Sequence, residues 1–188
     1  MLERPARDTS DYDLNPGTAR PGGQSLRAAG VLVPLLATPD GARVILTKRS
    51  SRLRHHPGQI AFPGGKVDDG DHGPVAAALR EAEEEIGLPR DTVEVLGTTA
   101  PHETVTGFSI TPVFGRISVD FDPVPEAGEV DEVFSVPLSH VADPTRYRIE
   151  GRRWRGQTRR YYTIPYGPFY IWGATARILK ALADRMAE

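Results

Sequence analysis

Residues 80–88 read REAEEEIGL, which combines a dense set of acids with helical spacing of the apolar residues. A helix turns by about 100° per residue, so Glu81, Glu84 and Glu85 fall within one arc of about 100°. A separate apolar stripe, which would face the core, consists of Val75, Leu79, Ala82 and Ile86. Pro74 suits a first helical turn and Gly87-Leu88-Pro89 ends the pattern. We therefore predict a helix over about residues 74–86.

Three acids on one helical edge repel one another, at a cost of roughly 0.2–0.5 kcal/mol per pair on an exposed helix. A hard divalent cation, which prefers oxygen ligands, would offset that repulsion. A solvated acidic face, partly neutralised by Arg80, would explain the same residues without any ligand. The helix by itself leaves both interpretations open.

On either side of this helix, short apolar runs alternate with turn signals, a pattern that is typical of strands. The runs that we interpret as strands are residues 31–36, 44–47, 59–62, 93–99, 108–117 and 133–136. Pro39-Asp40-Gly41 predicts a tight turn after the first run, and Pro63-Gly64-Gly65 ends the third. Residues 147–154 and 159–164 predict a hairpin, and residues 174–186 a last helix. We therefore predict an α/β (α+β) fold with a mixed β-sheet core between helices.

Residues 1–26 are rich in Pro, Gly, Asp and Arg and show no apolar period. They predict an extended N-terminal arm that packs either on its own chain or on a partner subunit in a homodimer. Residues 27–188 are enough for one domain with its own core. The sequence thus predicts a single domain preceded by an arm.

The bulk composition excludes several classes of protein. A net charge of −2 at pH 7 argues against a general nucleic-acid binder, which would usually be strongly basic. The absence of cysteine excludes disulfides, thiolate metal sites and a cysteine nucleophile. The N-terminus has no apolar run suited to a signal peptide, and the longest apolar stretch, near residues 31–37, is too short to cross a bilayer. We expect a cytoplasmic protein with neither a membrane nor a nucleic-acid partner.

The residues around the acidic helix resemble a known motif. Residues 65–88 are similar to the Nudix box, a glycine followed by spaced acids and then by Arg-Glu-aliphatic-x-Glu-Glu-x-Gly-aliphatic. The second half of the box is matched in full by Arg80, Glu81, Ala82, Glu84, Glu85, Gly87 and Leu88. Asp71, however, stands where the box has its first glutamate, and eight residues instead of seven separate it from Arg80, with His72 or Gly73 as the extra one. This spacing either weakens a metal site or marks a particular branch of the family.

The preceding segment favours a particular branch. Residues 46–65 read LTKRSSRLRHHPGQIAFPGG and match every fixed position of the signature LTxRS, three residues, Arg, three residues, Gly, three residues, FPGG. That signature is typical of the coenzyme A diphosphatase branch of Nudix enzymes, which this chain also resembles in its Asp71 and its lengthened spacing. The resemblance continues in VTGF at 105–108, EVDEVF at 129–134 and IWG at 171–173, and it covers roughly residues 27–180.

The resemblance implies a Nudix fold and metal-dependent hydrolysis of the diphosphate bridge of coenzyme A or its derivatives, giving 3′-phospho-AMP and 4′-phosphopantetheine. It implies Mg²⁺ or Mn²⁺ as cofactor, with Glu81 and Glu85 as principal ligands and Glu84 as a further ligand or the holder of a metal-bound water. Arg80 would orient the glutamates by salt bridges. The general base would be a glutamate of the box or an acid of a later loop. Glu129 is the later-loop candidate, and a purely structural role for it stays open.

Positive charge for a phosphate-rich substrate is concentrated before the FPGG turn, in Lys48, Arg49, Arg52 and Arg54 with the neighbouring histidines. Arginine suits phosphate because its planar fork donates two parallel hydrogen bonds. The residues that we predict to bind the small-molecule substrate are Lys48, Arg49, Arg54, His56, Gly58, Phe62, Gly64 and Gly65. A solvated basic loop is the alternative. A second basic cluster, at residues 152–160, fits an exposed hairpin tip or a subunit contact better than a single-strand nucleic-acid platform.

Two other functions compete with this interpretation. The first is a Nudix diphosphatase that acts on another nucleoside diphosphate derivative, such as ADP-ribose, NADH or a dinucleoside polyphosphate. The second is a non-catalytic, nucleotide-binding Nudix domain. The complete set of Glu81, Glu84 and Glu85 argues against the second, because a retired site has no need to keep mutually repelling acids.

Overall fold

The computed structural model describes residues 8–18, 25–119, 121–154 and 156–187, with Trp154 described by its backbone. The strands are β1 (Thr9–Ser10), β2 (Arg27–Thr38), β3 (Gly41–Arg49), β4 (Ile60–Ala61), β5 (Gly64–Lys66), β6 (Val93–Thr98), β7 (His102–Glu103), β8 (Phe108–Ile117), β9 (Val130–Pro137), β10 (Arg148–Trp154) and β11 (Gln157–Thr163). The helices are α1 (Pro74–Ile86), α2 (Leu138–Val141) and α3 (Gly173–Ala187). Two 3-10 turns span Arg90–Thr92 and Pro144–Arg146.

β2 is the centre of a mixed sheet that has nine strands in the described part of the chain. One side of β2 pairs in parallel with β8. The other side pairs antiparallel with β5 at residues 29–31 and with β3 at residues 35–38. The end of β3, at Thr47 and Lys48, pairs instead with β4. On its far side, β3 pairs with β9 from Arg43 to Arg49. β4 and β5 therefore lie between β2 and the last residues of β3, where the FPGG turn joins them.

The two faces of the sheet carry two separate cores, because successive side chains of a strand point to opposite faces. Leu32 of β2 packs on one face with Ala82 and Ile86 of α1. Val33, the next residue, packs on the other face with Leu179 of α3. The predicted architecture, a mixed sheet between helices, is confirmed.

α1 has the bounds that the sequence predicts. At its C-terminus Gly87 adopts the left-handed conformation with a φ of 70°, which a glycine tolerates without strain. Two further backbone bonds follow: the Val124 N–H donates to the Ile86 carbonyl and the Glu126 N–H to the Glu85 carbonyl, both at 2.9 Å. The loop before β9 is thereby attached to the end of the acidic helix.

Several elements differ from the sequence-based prediction. β2 and β9 are longer than the apolar runs that predicted them, and β4 contains two residues where four were expected. Three two- or three-residue strands, β1, β5 and β7, and the single-turn helix α2 were not predicted. None of the helices in the described ranges is both long and apolar enough to span a membrane.

Part of the N-terminal arm lies within the described residues and packs against its own chain. Thr9 and Ser10 extend the sheet by pairing in parallel with β7. Further along, Asp13 forms a salt bridge with Arg177 of α3 at 2.8 Å. Asn15 both donates to and accepts from the backbone of Arg160 in β11, at 2.9 and 2.8 Å. Residues 1–7 and 19–24 of the predicted arm lie outside the described residues.

Candidate metal and active site

The three box glutamates lie on one edge of α1, but they differ in exposure. The Glu85 side chain is 5% exposed, that of Glu81 18% and that of Glu84 56%. The edge therefore runs from a buried carboxylate beside the sheet to an exposed one in solvent. The i,i+3 and i,i+4 spacing places all three side chains on this one edge of the helix.

The FPGG turn lies against the two less exposed glutamates. The Gly64 N–H donates to Glu85 Oε2 at 3.0 Å. A Cβ atom on Gly65 would lie 2.3 Å from Glu81 Oε1, and one on Gly64 would lie 2.5 Å from the Gly30 carbonyl oxygen. The absence of a side chain at Gly64 therefore lets the turn approach the backbone of β2, and its absence at Gly65 leaves room for the Glu81 carboxylate.

Glu129, at the end of the loop before β9, joins Glu81 and Glu85 in what we call the carboxylate cluster. Burial, with a smaller contribution from the charges of Glu81 and Glu129, raises the pKa of Glu85 to about 7. Burial also raises the pKa of Glu81, to which Glu84 and Glu129 add repulsion. The Gly64 N–H and the Arg49 charge act in the opposite direction on Glu85 without cancelling the shift. The charges of Arg49 beside Glu85 and of Arg80 beside Glu81 therefore offset the cost of burial only in part.

Arg80 connects the loop before α1 to the helix. Its Nε and Nη2 donate to the two carboxylate oxygens of Asp71 at 3.1 and 3.0 Å. These bonds hold the pKa of the Asp71 carboxyl below its usual range. Its Nη1 donates to Glu81 Oε1 at 3.0 Å and to Glu84 Oε2 at 2.9 Å. Asp71, the residue in the position of the first acid of the box, is thus engaged by Arg80. Gly73, one of the two candidates for the extra residue, precedes α1 with a φ of 89°.

The donor chemistry of the cluster fits a hard divalent cation. Glu81 and Glu85 are an i,i+4 pair of carboxylates whose charged forms are disfavoured by burial, and a cation would reverse that penalty. Within the described ranges, no group of three or more His, Asp or Glu side chains is arranged so that it could hold a metal ion. The Glu84 carboxylate accepts a hydrogen bond from Arg80, and that oxygen would become a third metal ligand only after this bond is broken. The residues therefore fit an ion held mainly by Glu81 and Glu85.

Of the predicted basic residues, the structure brings Arg49 to the cluster. Its Nη1 lies 4.0 Å from Glu85 Oε1, and its side chain is 29% exposed. Lys48, one residue earlier in β3, is half-buried. Arg54 and His56 lie on the exposed loop of residues 51–58, where His56 has a φ of 55°. Positive charge thus extends from the cluster out along this loop.

Two other predicted substrate residues have backbone or core positions. The Gly58 N–H closes the loop of residues 51–58, which we call the basic loop, by donating to the Arg49 carbonyl at 3.0 Å. Gly58 has a φ of 68°. Phe62 is 4% exposed and packs in the core beneath α3. Its ring supports the FPGG turn from inside rather than lining the exposed loop.

Residues that the sequence did not single out join these segments together. Ser50 is 1% exposed, and its N–H donates to the Glu129 carbonyl at 2.8 Å. Asp131 accepts from the Ser51 N–H at 2.9 Å. Both residues belong to motifs quoted above, LTKRS and EVDEVF, but neither motif indicated a contact between them.

Comparison with known proteins agrees with the geometry. The NUDIX domain family matches residues 26–155. A protein of Escherichia coli (strain SMS-3-5 / SECEC), named an uncharacterized Nudix hydrolase, NudL, is 44% identical over 157 residues, which cover 84% of this chain and 81% of that protein.

Solved structures are similar as well. RenU, a Nudix hydrolase from M. smegmatis, is 29% identical with a TM-score of 0.52 over 62% of this chain and 73% of its own. A MutT protein from Methanosarcina mazei Go1 is 19% identical with a TM-score of 0.53 over 88% of this chain and 98% of its own, a likeness of fold alone. The chain thus belongs to the NUDIX domain family, and it is a Nudix hydrolase that acts on diphosphate bonds.

Proposed function

We propose that this enzyme hydrolyses the diphosphate bridge of coenzyme A or its derivatives and releases 3′-phospho-AMP and 4′-phosphopantetheine. One observation carries the proposal: the segment that resembles the coenzyme A branch, residues 46–65, folds around Glu85. Arg49 near its beginning lies 4.0 Å from that carboxylate, and Gly64 near its end donates to it at 3.0 Å. The substrate signature and the acid that would hold the metal therefore form one site.

Nudix hydrolases generally use divalent metal ions, and we propose Mg²⁺ or Mn²⁺ for this enzyme, held by Glu81 and Glu85. When bound, the ion supplies neutralisation of the diphosphate charge and activation of water. Arg80 keeps Glu81 in place through its bond of 3.0 Å, and Asp71 holds Arg80 in turn. We propose that Arg80 orients the glutamates through these salt bridges.

Two acids are candidates for the general base. Glu84 is more than half exposed and lies one helical turn from Arg80, which holds it at 2.9 Å. Glu129 is exposed, and its charge acts on both Glu81 and Glu85. We propose that one of these two accepts the proton of the attacking water. Glu84→Gln and Glu129→Gln separate them, because loss of the base lowers kcat far more than it raises KM.

The substrate's phosphates would lie towards the basic side of the cluster. Arg49 is placed to offset the charge of both the carboxylates and a diphosphate. Lys48 and Arg54 extend positive charge away from the cluster, and we propose that His56, on the same exposed loop as Arg54, adds a hydrogen-bonding group for the substrate. A planar guanidinium can donate two parallel bonds to a phosphate. We propose that Gly58, Gly64 and Gly65 shape the backbone around the bound diphosphate and that Phe62 supports it from the core.

The test is a substrate panel. Coenzyme A, ADP-ribose, NADH and a dinucleoside polyphosphate are compared by kcat/KM with Mg²⁺ and with Mn²⁺, and the products formed in ¹⁸O-water are analysed by mass spectrometry. We expect the highest kcat/KM with a coenzyme A species, and a single labelled product that identifies the attacked phosphorus. A higher kcat/KM with ADP-ribose than with any coenzyme A species would overturn the substrate assignment and leave the family assignment intact.

A further inference from the structure

Strands β3 and β9 lose their regular register where they reach the carboxylate cluster. Lys48 pairs with Glu132, but the next residue of β3, Arg49, pairs with Val130. Asp131 is therefore an extra residue in β9, a β-bulge. Bulges bend a strand and redirect side chains, and they are frequent next to active sites. This bulge releases Asp131 from the regular pairing at the level of Arg49.

The Asp131 carboxylate closes the turn that follows β3. Its Oδ2 accepts a hydrogen bond from the Ser51 N–H at 2.9 Å. That N–H, together with weaker contributions from the Ser50 and Ser51 hydroxyls and the Lys48 charge, holds the pKa of Asp131 below its usual range. The carboxylate is thus an ionised acceptor, and hydrogen bonds to ionised acceptors are the stronger ones.

The turn that Asp131 closes connects the backbone of Glu129 with Arg49 and the basic loop. Ser50 is buried, and its N–H donates to the Glu129 carbonyl at 2.8 Å. Its hydroxyl accepts from the Arg52 N–H at 3.3 Å, at the start of the basic loop. Arg49, the residue before Ser50, carries the guanidinium that lies 4.0 Å from Glu85. A shift of this turn would therefore move Arg49, the basic loop and the Glu129 backbone together.

We propose that Asp131 is a positioning residue of the active site: by holding the Ser51 N–H it fixes the turn that aims Arg49 and the basic loop at the diphosphate. The inference rests on the proposed function in one respect, the assignment of Arg49 and the basic loop to phosphate binding. Asp131 acts through the backbone of Ser51 and does not contact the substrate.

The experiment compares Asp131→Ala with Asp131→Asn in steady-state kinetics on coenzyme A with Mg²⁺. Asparagine keeps an oxygen that accepts from the Ser51 N–H, whereas alanine removes it. We expect Asp131→Ala to raise KM about tenfold, which corresponds to about 1.4 kcal/mol, and to change kcat less than about threefold. Asp131→Asn should restore KM to within about threefold of the wild-type value.

Asp143→Ala is the matched control. Asp143 lies beyond the far end of β9 and accepts from the Thr145 N–H at 2.9 Å, a bond of the same kind and length. Because Asp143 also accepts from Thr145 Oγ1 at 2.6 Å and from Arg146 Nε at 3.1 Å, Asp143→Ala should lower the thermal unfolding midpoint at least as much as Asp131→Ala does, and it should leave KM unchanged. The proposal is overturned if Asp131→Ala has a wild-type KM, if Asp131→Asn is as impaired as Asp131→Ala, or if Asp143→Ala raises KM equally.

A wrong substrate assignment gives a different result from a wrong role for Asp131. If the wild-type enzyme prefers another diphosphate, the same variants are compared on that substrate, and a KM raised in Asp131→Ala and restored in Asp131→Asn supports the positioning role. Calorimetric titration with inorganic pyrophosphate and Mg²⁺ supplies a readout that does not depend on turnover. Weaker binding to Asp131→Ala than to Asp131→Asn supports the role, and equal binding to all variants overturns it.

Discussion

Glu85 on α1 and His102 on β7 are both buried ionisable side chains, but their surroundings differ. His102 is fully buried, and both of its ring nitrogens are partnered. Nδ1 lies 2.9 Å from Thr9 Oγ1 and Nε2 lies 3.1 Å from Asp11 Oδ1. Asp11 is held in turn by the Val105 N–H at 3.0 Å. We call these residues the arm junction, because Thr9 and Asp11 belong to the N-terminal segment.

Glu85, in contrast to His102, has an incomplete set of partners for its charged form. One oxygen accepts from the Gly64 N–H, and the nearest arginine, Arg49, is 4.0 Å from the other. Burial and the neighbouring charges raise its pKa to about 7. Buried polar groups whose partners are complete contribute to stability, whereas strongly perturbed carboxylates concentrate at functional sites. The arm junction is thus expected to stabilise the fold, and the carboxylate cluster to bind and react.

Replacing Glu85 should give the largest effect on activity. Glu85→Gln removes one of the two proposed principal metal ligands, and we expect kcat to fall about 10²–10³-fold, as when a single electrostatic contact to a transition state is lost. The unfolding midpoint without metal should not fall, because burial already disfavours the charged form of this side chain. The measurements are turnover with Mg²⁺ and thermal unfolding with and without Mn²⁺. A normal rate in Glu85→Gln would show that the metal assignment is wrong.

Gly65→Ala tests the close approach of the FPGG turn to the helix. The added Cβ would meet Glu81 Oε1 at 2.3 Å, and because that atom ends a flexible side chain, Glu81 should move while the fold remains. We expect the Mg²⁺ concentration for half-maximal activity to rise about tenfold, with little change in stability. Gly70→Ala is the control, since a Cβ there meets no atom within 4 Å. Equal metal dependence in both variants would contradict the assignment of Glu81.

The acidic edge of α1 was predictable because its signals are local. Pro74 begins the helix and Gly87 ends it, and both are read from neighbouring residues. Three acids at helical spacing then share an edge in any helix that forms there. The resemblance to the Nudix box supplied the roles, which helical spacing alone left open.

The arm junction was not predictable in the same way. β1 and β7 contain two residues each. β7 also pairs with β8, but β1 joins the sheet only through β7, where Thr9 meets His102 across a separation of 93 residues. No local pattern in either segment indicates the other. The bulge at Asp131 has the same cause, since the register of β9 depends on its pairing with β3. Similarly, the sequence identified Phe62 as part of a signature, but the partners that bury it come from distant elements.

His102→Ala should show the contrast between the two regions most directly. It removes a fully buried ring and leaves Thr9 and Asp11 without their partner, so we expect a loss of about 2–3 kcal/mol in the free energy of unfolding. The kcat at a temperature where the variant is folded should stay within about threefold of wild type. Urea denaturation and steady-state kinetics give the two values. A hundredfold loss of kcat in a stably folded His102→Ala would place the arm junction in the active site.

The smallest effect is expected at Asn15, where the arm meets the hairpin of β10 and β11. Its amide exchanges two hydrogen bonds with the Arg160 backbone and donates a third to the Asp11 carbonyl at 3.0 Å. Water can replace these bonds at an exposed site, so Asn15→Ala should lower the free energy of unfolding by only about 1 kcal/mol and leave kcat/KM unchanged. If Asn15→Ala instead lowers kcat/KM without lowering stability, the hairpin takes part in substrate binding, and the division between a stabilising arm and a reactive helix edge would not hold.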